Sequence, residues 1–233
     1  MTIAVQLNHV SKTIKGREIL KDVTLTVNKG SIVGFVGHNG SGKSMLFRII
    51  AGLVKPTSGE VSLFGETLHR TISFPKSAGI ILEKPGFLEQ YSGFDNLKFL
   101  ADIQKKINAD QIKASMRQLG LNPEDRRKVK TYSLGMKQKL AIVQAVMEKP
   151  DLILLDEPMN GLDEESVYRV YELLRQEKAR GATILLTSHH KADIEALCDE
   201  VYKVSAGTVS KAEYSASVHA IQPPLQPSLV NRR

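Results

Sequence analysis

Between the apolar run at 31–37 (SIVGFVG) and the apolar-periodic run at 45–53 (MLFRIIAGL) lies Gly37-His38-Asn39-Gly40-Ser41-Gly42-Lys43-Ser44, a match to G-x-x-x-x-G-K-[ST]. The order is strand, glycine-rich loop, helix. Glycines let the backbone curl so that successive N–H groups point inward at an anion, where a side chain would block the approach. The loop opens onto a helix N-terminus, whose partial positive charge and free N–H groups favour phosphate. Lys43 is placed to reach the β- and γ-phosphates and Ser44 to offer a hydroxyl to Mg²⁺, while His38 and Asn39 act as spacers. A nucleoside triphosphate is the ligand this pattern implies.

Two further strand ends carry chemistry of the same kind. Residues 152–158 (LILLDEP) read as an apolar strand closing on two carboxylates. Asp156 at the sheet edge can hold Mg²⁺ through its water shell, and Glu157 can polarise the attacking water as general base. Residues 182–188 (ATILLTS) read as another strand, and His189 just beyond it is placed to donate a hydrogen bond to the γ-phosphate. The remaining histidines and the lone Cys198 show no metal-ligand spacing, so no structural zinc is expected.

The rest of the chain arranges itself around these points. Residues 3–10 and 17–27 are rich in β-branched residues and read as an antiparallel strand pair. Pro56, Ser58 and Gly59 read as a turn before the strand EVSLF, and 79–82 (GIIL) as a buried strand. From Gly93 to Pro150 the apolar residues fall at helical spacing, and strand–helix alternation resumes after it. The expectation is one α/β domain over 1–233. It has a P-loop NTPase core of mostly parallel sheet with flanking helices (1–82 and 151–211). An N-terminal antiparallel β subdomain and an inserted α-helical subdomain (83–150) complete it. The proline-rich 212–233 is expected to be a disordered tail.

Composition narrows the setting. No run approaches the roughly 18 apolar residues of a membrane-spanning helix, and the first residues lack the basic-then-apolar pattern of a secretory signal. One cysteine cannot close an internal disulfide, in keeping with a reducing compartment, and is expected to be a small packed residue on a helix. The net charge of +7 does not by itself choose a partner, and the densest basic run (126–130) has no interleaved aromatics, so it reads as a solvated loop rather than a nucleic-acid patch.

The segment Thr131-Tyr132-Ser133-Leu134-Gly135-Met136-Lys137-Gln138-Lys139-Leu140 resembles the L-S-G-G-Q signature of ABC ATPases, in its expected place upstream of LILLDEP. The order of P-loop, signature, carboxylate pair, Asn160-Gly161-Leu162-Asp163 and His189 is similar to that family over residues 3–211. The resemblance implies that two such domains meet head to tail around two MgATP. Ser133 and Gly135 of one would then cap the γ-phosphate held by the other, with 160–163 as the D-loop across the seam. A homodimer is the favoured pairing.

Four positions, in three motifs, depart from the family pattern. Ile14 stands near the place of the adenine-stacking aromatic, Glu83 replaces the Q-loop glutamine and could still reach the Mg²⁺ shell, and Leu134 and Met136 replace a glycine and a glutamine of the signature. LEKPGF together with YSLGMKQKL looks similar to the branch of bacitracin-resistance and lantibiotic self-protection exporters, which pair with separate ABC-2-type permeases. That resemblance implies a peripheral subunit on the cytoplasmic face of the cell membrane, driving a multi-span permease, with no nucleic acid expected. The competing class is a soluble ABC ATPase acting on ribosomes or nucleic acid, and the long insertions or second cassette of such proteins are not seen. A degenerate regulatory nucleotide binder is disfavoured by the intact Lys43, Ser44, Asp156, Glu157 and His189.

Overall fold

The computed structural model describes residues 2–82 and 86–212. The expectations for Glu83 and for the tail beyond 212 fall outside these residues.

Two sheets form, for different reasons. β1 (Ile3–Ile14) and β2 (Arg17–Asn28) fold back through Lys15-Gly16, both with positive φ (47° and 78°). That backbone matches the twist of a two-residue hairpin. β4 (Ser58–Leu63) and β5 (Glu66–Thr67) extend this antiparallel sheet in the order β2-β1-β4-β5. The turn expected around Ser58 and Gly59 is instead part of β4. Gly59 (φ 81°) sits where the β1–β4 register shifts between Asn8 and Ser11, and a Cβ there would lie 2.3 Å from the His9 carbonyl oxygen. A glycine in a strand is read as a turn from sequence, but here it admits a bulge.

The second sheet runs β10-β9-β3-β8-β7-β6. It is built from β3 (Ile32–Val36), β6 (Ala78–Ile81), β7 (Leu152–Leu155), β8 (Thr183–Thr187), β9 (Glu200–Ser205) and β10 (Thr208–Lys211). All pairings are parallel except β9 with β10. β7 is buried at every residue, as expected of a strand covered on both faces. Leu152 and Leu154 join the core shared with the antiparallel sheet and α1 (Lys43–Ile50), whereas Ile153 and Leu155 face the other core, packed by the remaining helices.

Those helices are α2 (Gly93–Gln104), α3 (Ala109–Gln118), α4 (Leu134–Val146), α5 (Glu164–Ala179) and α6 (Lys191–Leu197). Side-chain caps start four of them: Ser92 with Asp95 and Asn108 with Gln111 form capping boxes, and Ser133 and Asp163 accept from the backbone N–H three residues on. α4 is pressed onto the sheet at Gly79, where a Cβ would stand 1.7 Å from the Ala145 carbonyl oxygen. No other residue fits that contact. Cys198 follows α6 rather than lying within it. It packs on Gly34, and burial pushes its thiol up to about 12. No helix among the described residues is long and apolar enough to cross a membrane.

Candidate nucleotide site

The loops after β3, β7 and β8 leave the carboxyl ends of parallel strands and converge on one cavity of about 380 Å³. Such sheet ends are where open α/β folds bind ligands. Asn39, Gly40, Gly42, Asp156, Glu157 and His189 line it from these loops, Lys43, Ser44 and Met45 from the first turn of α1, and Arg17 and Ile19 from β2. The structure therefore brings together the three segments that the sequence had linked only by type.

The N-cap of α1 is Gly42, with a left-handed backbone (φ 116°), and unlike α2 to α5 the helix has no side-chain cap. Its first N–H groups are left for an external acceptor, and a phosphate suits them. A Cβ on Gly42 would lie 2.9 Å from Leu20 Cδ2, so β2 packs directly beneath the loop. Lys43 is buried to 6% exposure, and its ammonium donates to the carbonyl oxygens of Gly37 (2.6 Å) and His38 (3.2 Å). Gly37 and His38 line a second cavity with Ser188, His189 and His190, and His189 lines both. Ser41 is fully buried, and its hydroxyl has no hydrogen-bond partner.

The acidic end of β7 is organised by one buried threonine. Thr187 Oγ1 donates to Asp156 Oδ1 (2.6 Å) and accepts from the backbone N–H of Glu157 (2.9 Å), while Ser44 Oγ donates to Asp156 Oδ2 (2.8 Å). Hydroxyl and carboxylate oxygens thus converge beside the start of α1, a hard-oxygen donor set that fits Mg²⁺. Thr187 was read only as a strand residue. Its role emerges because β8 lies beside β7 in the sheet, which the linear sequence does not display.

Glu157 is one of the few non-glycine residues with a left-handed backbone (φ 53°). Such strain at a functional site persists only when the surroundings hold it. Its side chain is 18% exposed, and Oε1 lies 2.9 Å from His189 Nε2. The two side chains are close without an aligned hydrogen bond between them, and Oε1 accepts none. Burial pushes the Glu157 carboxyl up, His189 opposes that shift, and the neighbouring Asp156 charge adds to it.

Three further expected site residues lie elsewhere. Ile14 is 40% exposed and stands outside the cavity lining, directly across the hairpin from Arg17. Cross-strand partners share a face, so Ile14, Arg17 and Ile19 present one surface beside the loop. Ser133 and Gly135 do not line this cavity. Ser133 caps α4, and Gly135 lies close against the Gly161 carbonyl, where a Cβ would stand 2.9 Å from its oxygen. Arg17 and Ile19 were missed from sequence. Their only signal was their place two and four residues after Lys15, on the strand that underlies the loop.

Comparison with known proteins agrees with this architecture. The family model described as ABC transporter matches residues 20–160. An uncharacterized ABC transporter ATP-binding protein, YybJ of Bacillus subtilis, is 46% identical over 209 residues, covering 90% of this chain and 96% of its own. The bacitracin transport ATP-binding protein BcrA of Enterococcus faecalis is 32% identical, over 94% of this chain and 72% of its own length. Among solved structures, an ATP-binding subunit of an ABC transporter superposes with a TM-score of 0.77 at 28% identity, covering 90% of this chain and 89% of that one. The fold, the convergence of loops on one cavity and these similarities lead to one assignment: the chain belongs to the ABC transporter family, as an ATP-binding, ATP-hydrolysing subunit.

Proposed function

We propose that this subunit pairs with a second copy of itself around two MgATP and drives a separate multi-span permease of the ABC-2 type. The cargo would be an antimicrobial peptide or another amphipathic compound, moved outward. The observation that supports it is the joined set Ser44–Asp156–Thr187–Glu157 beside Lys43, which puts hydroxyls and carboxylates next to the phosphate loop.

In this reading Lys43 and the uncapped start of α1 bind the triphosphate, with Gly37 to Ser44 forming the cradle. Ser44 and Asp156 would hold Mg²⁺, which neutralises phosphate charge when bound, and Glu83 would sit near its shell. Glu157 accepts a proton from the attacking water, and His189 keeps that carboxylate and the γ-phosphate in register. Ser133 and Gly135 stand apart from their own chain's cavity, which supports capping of the partner copy's nucleotide. The adenine base would rest against the Ile14–Arg17–Ile19 face.

The permease reading draws on the surface of the helical segment. Phe99, Leu100 and Ile103 project from α2 at 42%, 38% and 75% exposure, and Tyr91 meets Phe99 edge to face at 4.9 Å. An apolar face of this kind suits a partner's amphipathic segment. The similarity to a bacitracin transport subunit favours export and a membrane-face location. Purification of the tagged chain from its native membranes tests the reading. Recovery of a multi-span protein supports it, and recovery with ribosomes or nucleic acid instead would replace it with the soluble class. In the same preparation Lys43→Ala should lose nucleotide, and Glu83→Ala should lose transport while retaining ATP affinity.

A further inference from the structure

The left-handed turn at Glu157 is held from two sides. Thr187 anchors its N–H from β8. From α4, Gln138 Nε2 donates to the Pro158 carbonyl oxygen (2.9 Å) and approaches that of Glu157 (3.5 Å). Gln138 is half-buried and does not line the nucleotide cavity. It bonds to neither phosphate-loop nor carboxylate side chains, yet it meets the two carbonyls that flank the Glu157–Pro158 link.

We propose that Gln138 is a positioning residue for hydrolysis, using its amide N–H to fix the turn from which the Glu157 carboxylate is aimed. The physical argument is one of constraint. A proline after Glu157 removes the next backbone N–H, and the turn's own Asn160 N–H closes on the Glu157 carbonyl oxygen at 3.2 Å. The Pro158 carbonyl is the remaining handle, and Pro158 is buried. A buried carbonyl demands a donor, and Gln138 supplies it. Without that bond the strained backbone can relax, and the carboxylate shifts relative to the water it must deprotonate. Displacements of about 1 Å at a reacting group lower rates by up to about a hundredfold.

The placement of Gln138 has a further consequence. It lies five residues after Ser133, on the same helix, and that helix also touches Gly161 through Gly135 and Leu134. The aim of Glu157 is thereby tied to the position of α4, so any load that moves the signature end of α4 reaches the base in the same chain.

The proposal rests on the general-base reading of Glu157, and the test separates the two. Gln138→Met keeps length and volume but removes the donor, and Gln138→Lys keeps a donor on a flexible stem. ATP hydrolysis is measured on the full chain alongside equilibrium binding of ATP and thermal unfolding. For Gln138→Met the expected result is a kcat lowered about tenfold or more, with KM and ATP affinity within about twofold of wild type and an unchanged melting temperature. Gln138→Lys should recover most of the rate. A wild-type kcat in Gln138→Met overturns the proposal. So does a parallel loss of binding and stability, which marks a packing role, or a Gln138→Lys variant as slow as Gln138→Met. Wild-type hydrolysis by Glu157→Gln would instead remove the general-base reading itself, whatever Gln138 does.

Discussion

His189 Nε2 stands 2.9 Å from Glu157 Oε1, joining the end of β8 to the acidic end of β7 across the mouth of the nucleotide cavity. Burial raises the affinity of this carboxyl for a proton and His189 limits the rise. Both effects act on the carboxyl proposed to activate water.

Replacement of Glu157 by Gln is expected to lower kcat by about a hundredfold or more while ATP still binds, since positioned general bases contribute about 10²- to 10⁴-fold. Single-turnover hydrolysis and equilibrium ATP binding on the same preparation check it.

The direction of the Glu157 shift makes both rate and stability depend on pH. In the proposed general-base role the active form is the carboxylate, so kcat should fall as pH drops through an apparent value above the ordinary 4.5 of a glutamic acid. Stability runs the other way. A raised carboxyl means the fold favours the protonated form, so this residue burdens the folded state above its raised pKa and the burden lifts as pH falls through it. Glu157→Gln should therefore melt higher than wild type at pH 7, with the gap closing toward pH 4. A gap that widened on acidification would contradict the shift.

Thr187→Val removes the hydroxyl shared by Asp156 and the Glu157 backbone while conserving volume. Leaving a buried donor unpaired costs about 1–3 kcal/mol, and the variant should lose that much in denaturant unfolding. Its kcat should fall more than its ATP affinity, because the phosphate cradle is untouched.

Arg17 lines the cavity from β2, and a guanidinium plane there is expected to stack on the base. Cation–π contacts contribute about 0.5–2 kcal/mol, so Arg17→Ala should weaken ATP about two- to thirtyfold. Inorganic tripolyphosphate, which has no base, should bind the variant as well as wild type. Equal losses for both ligands would make Arg17 a phosphate contact.

Much of this molecule was legible before any coordinates. The phosphate loop, LILLDEP and ATILLTS announce themselves because their chemistry is local: a glycine curl, an apolar run, a charge at its end. The helices between Gly93 and Pro150 were visible because their caps and periodicity lie within a few residues of each other. The hairpin of β9 and β10 went unread, since its turn places Ala206, not the usual Asn or Asp, in the left-handed region beside Gly207. Gly59 was misread for a related reason, as its bulge depends on the register of β1.

The order of motifs along the chain determines which reactive groups exist and on which kind of element each one sits. Which of them meet is decided by strand adjacency and packing. β8 lies between β3 and β7, so Thr187 can bridge Asp156 and Glu157; α4 closes on β6 at Gly79, and Gln138 reaches the Pro158 carbonyl. Neither contact follows from spacing, because hydrogen bonds over 20 or 30 residues depend on how sheets order their strands, and that order is a property of the whole core.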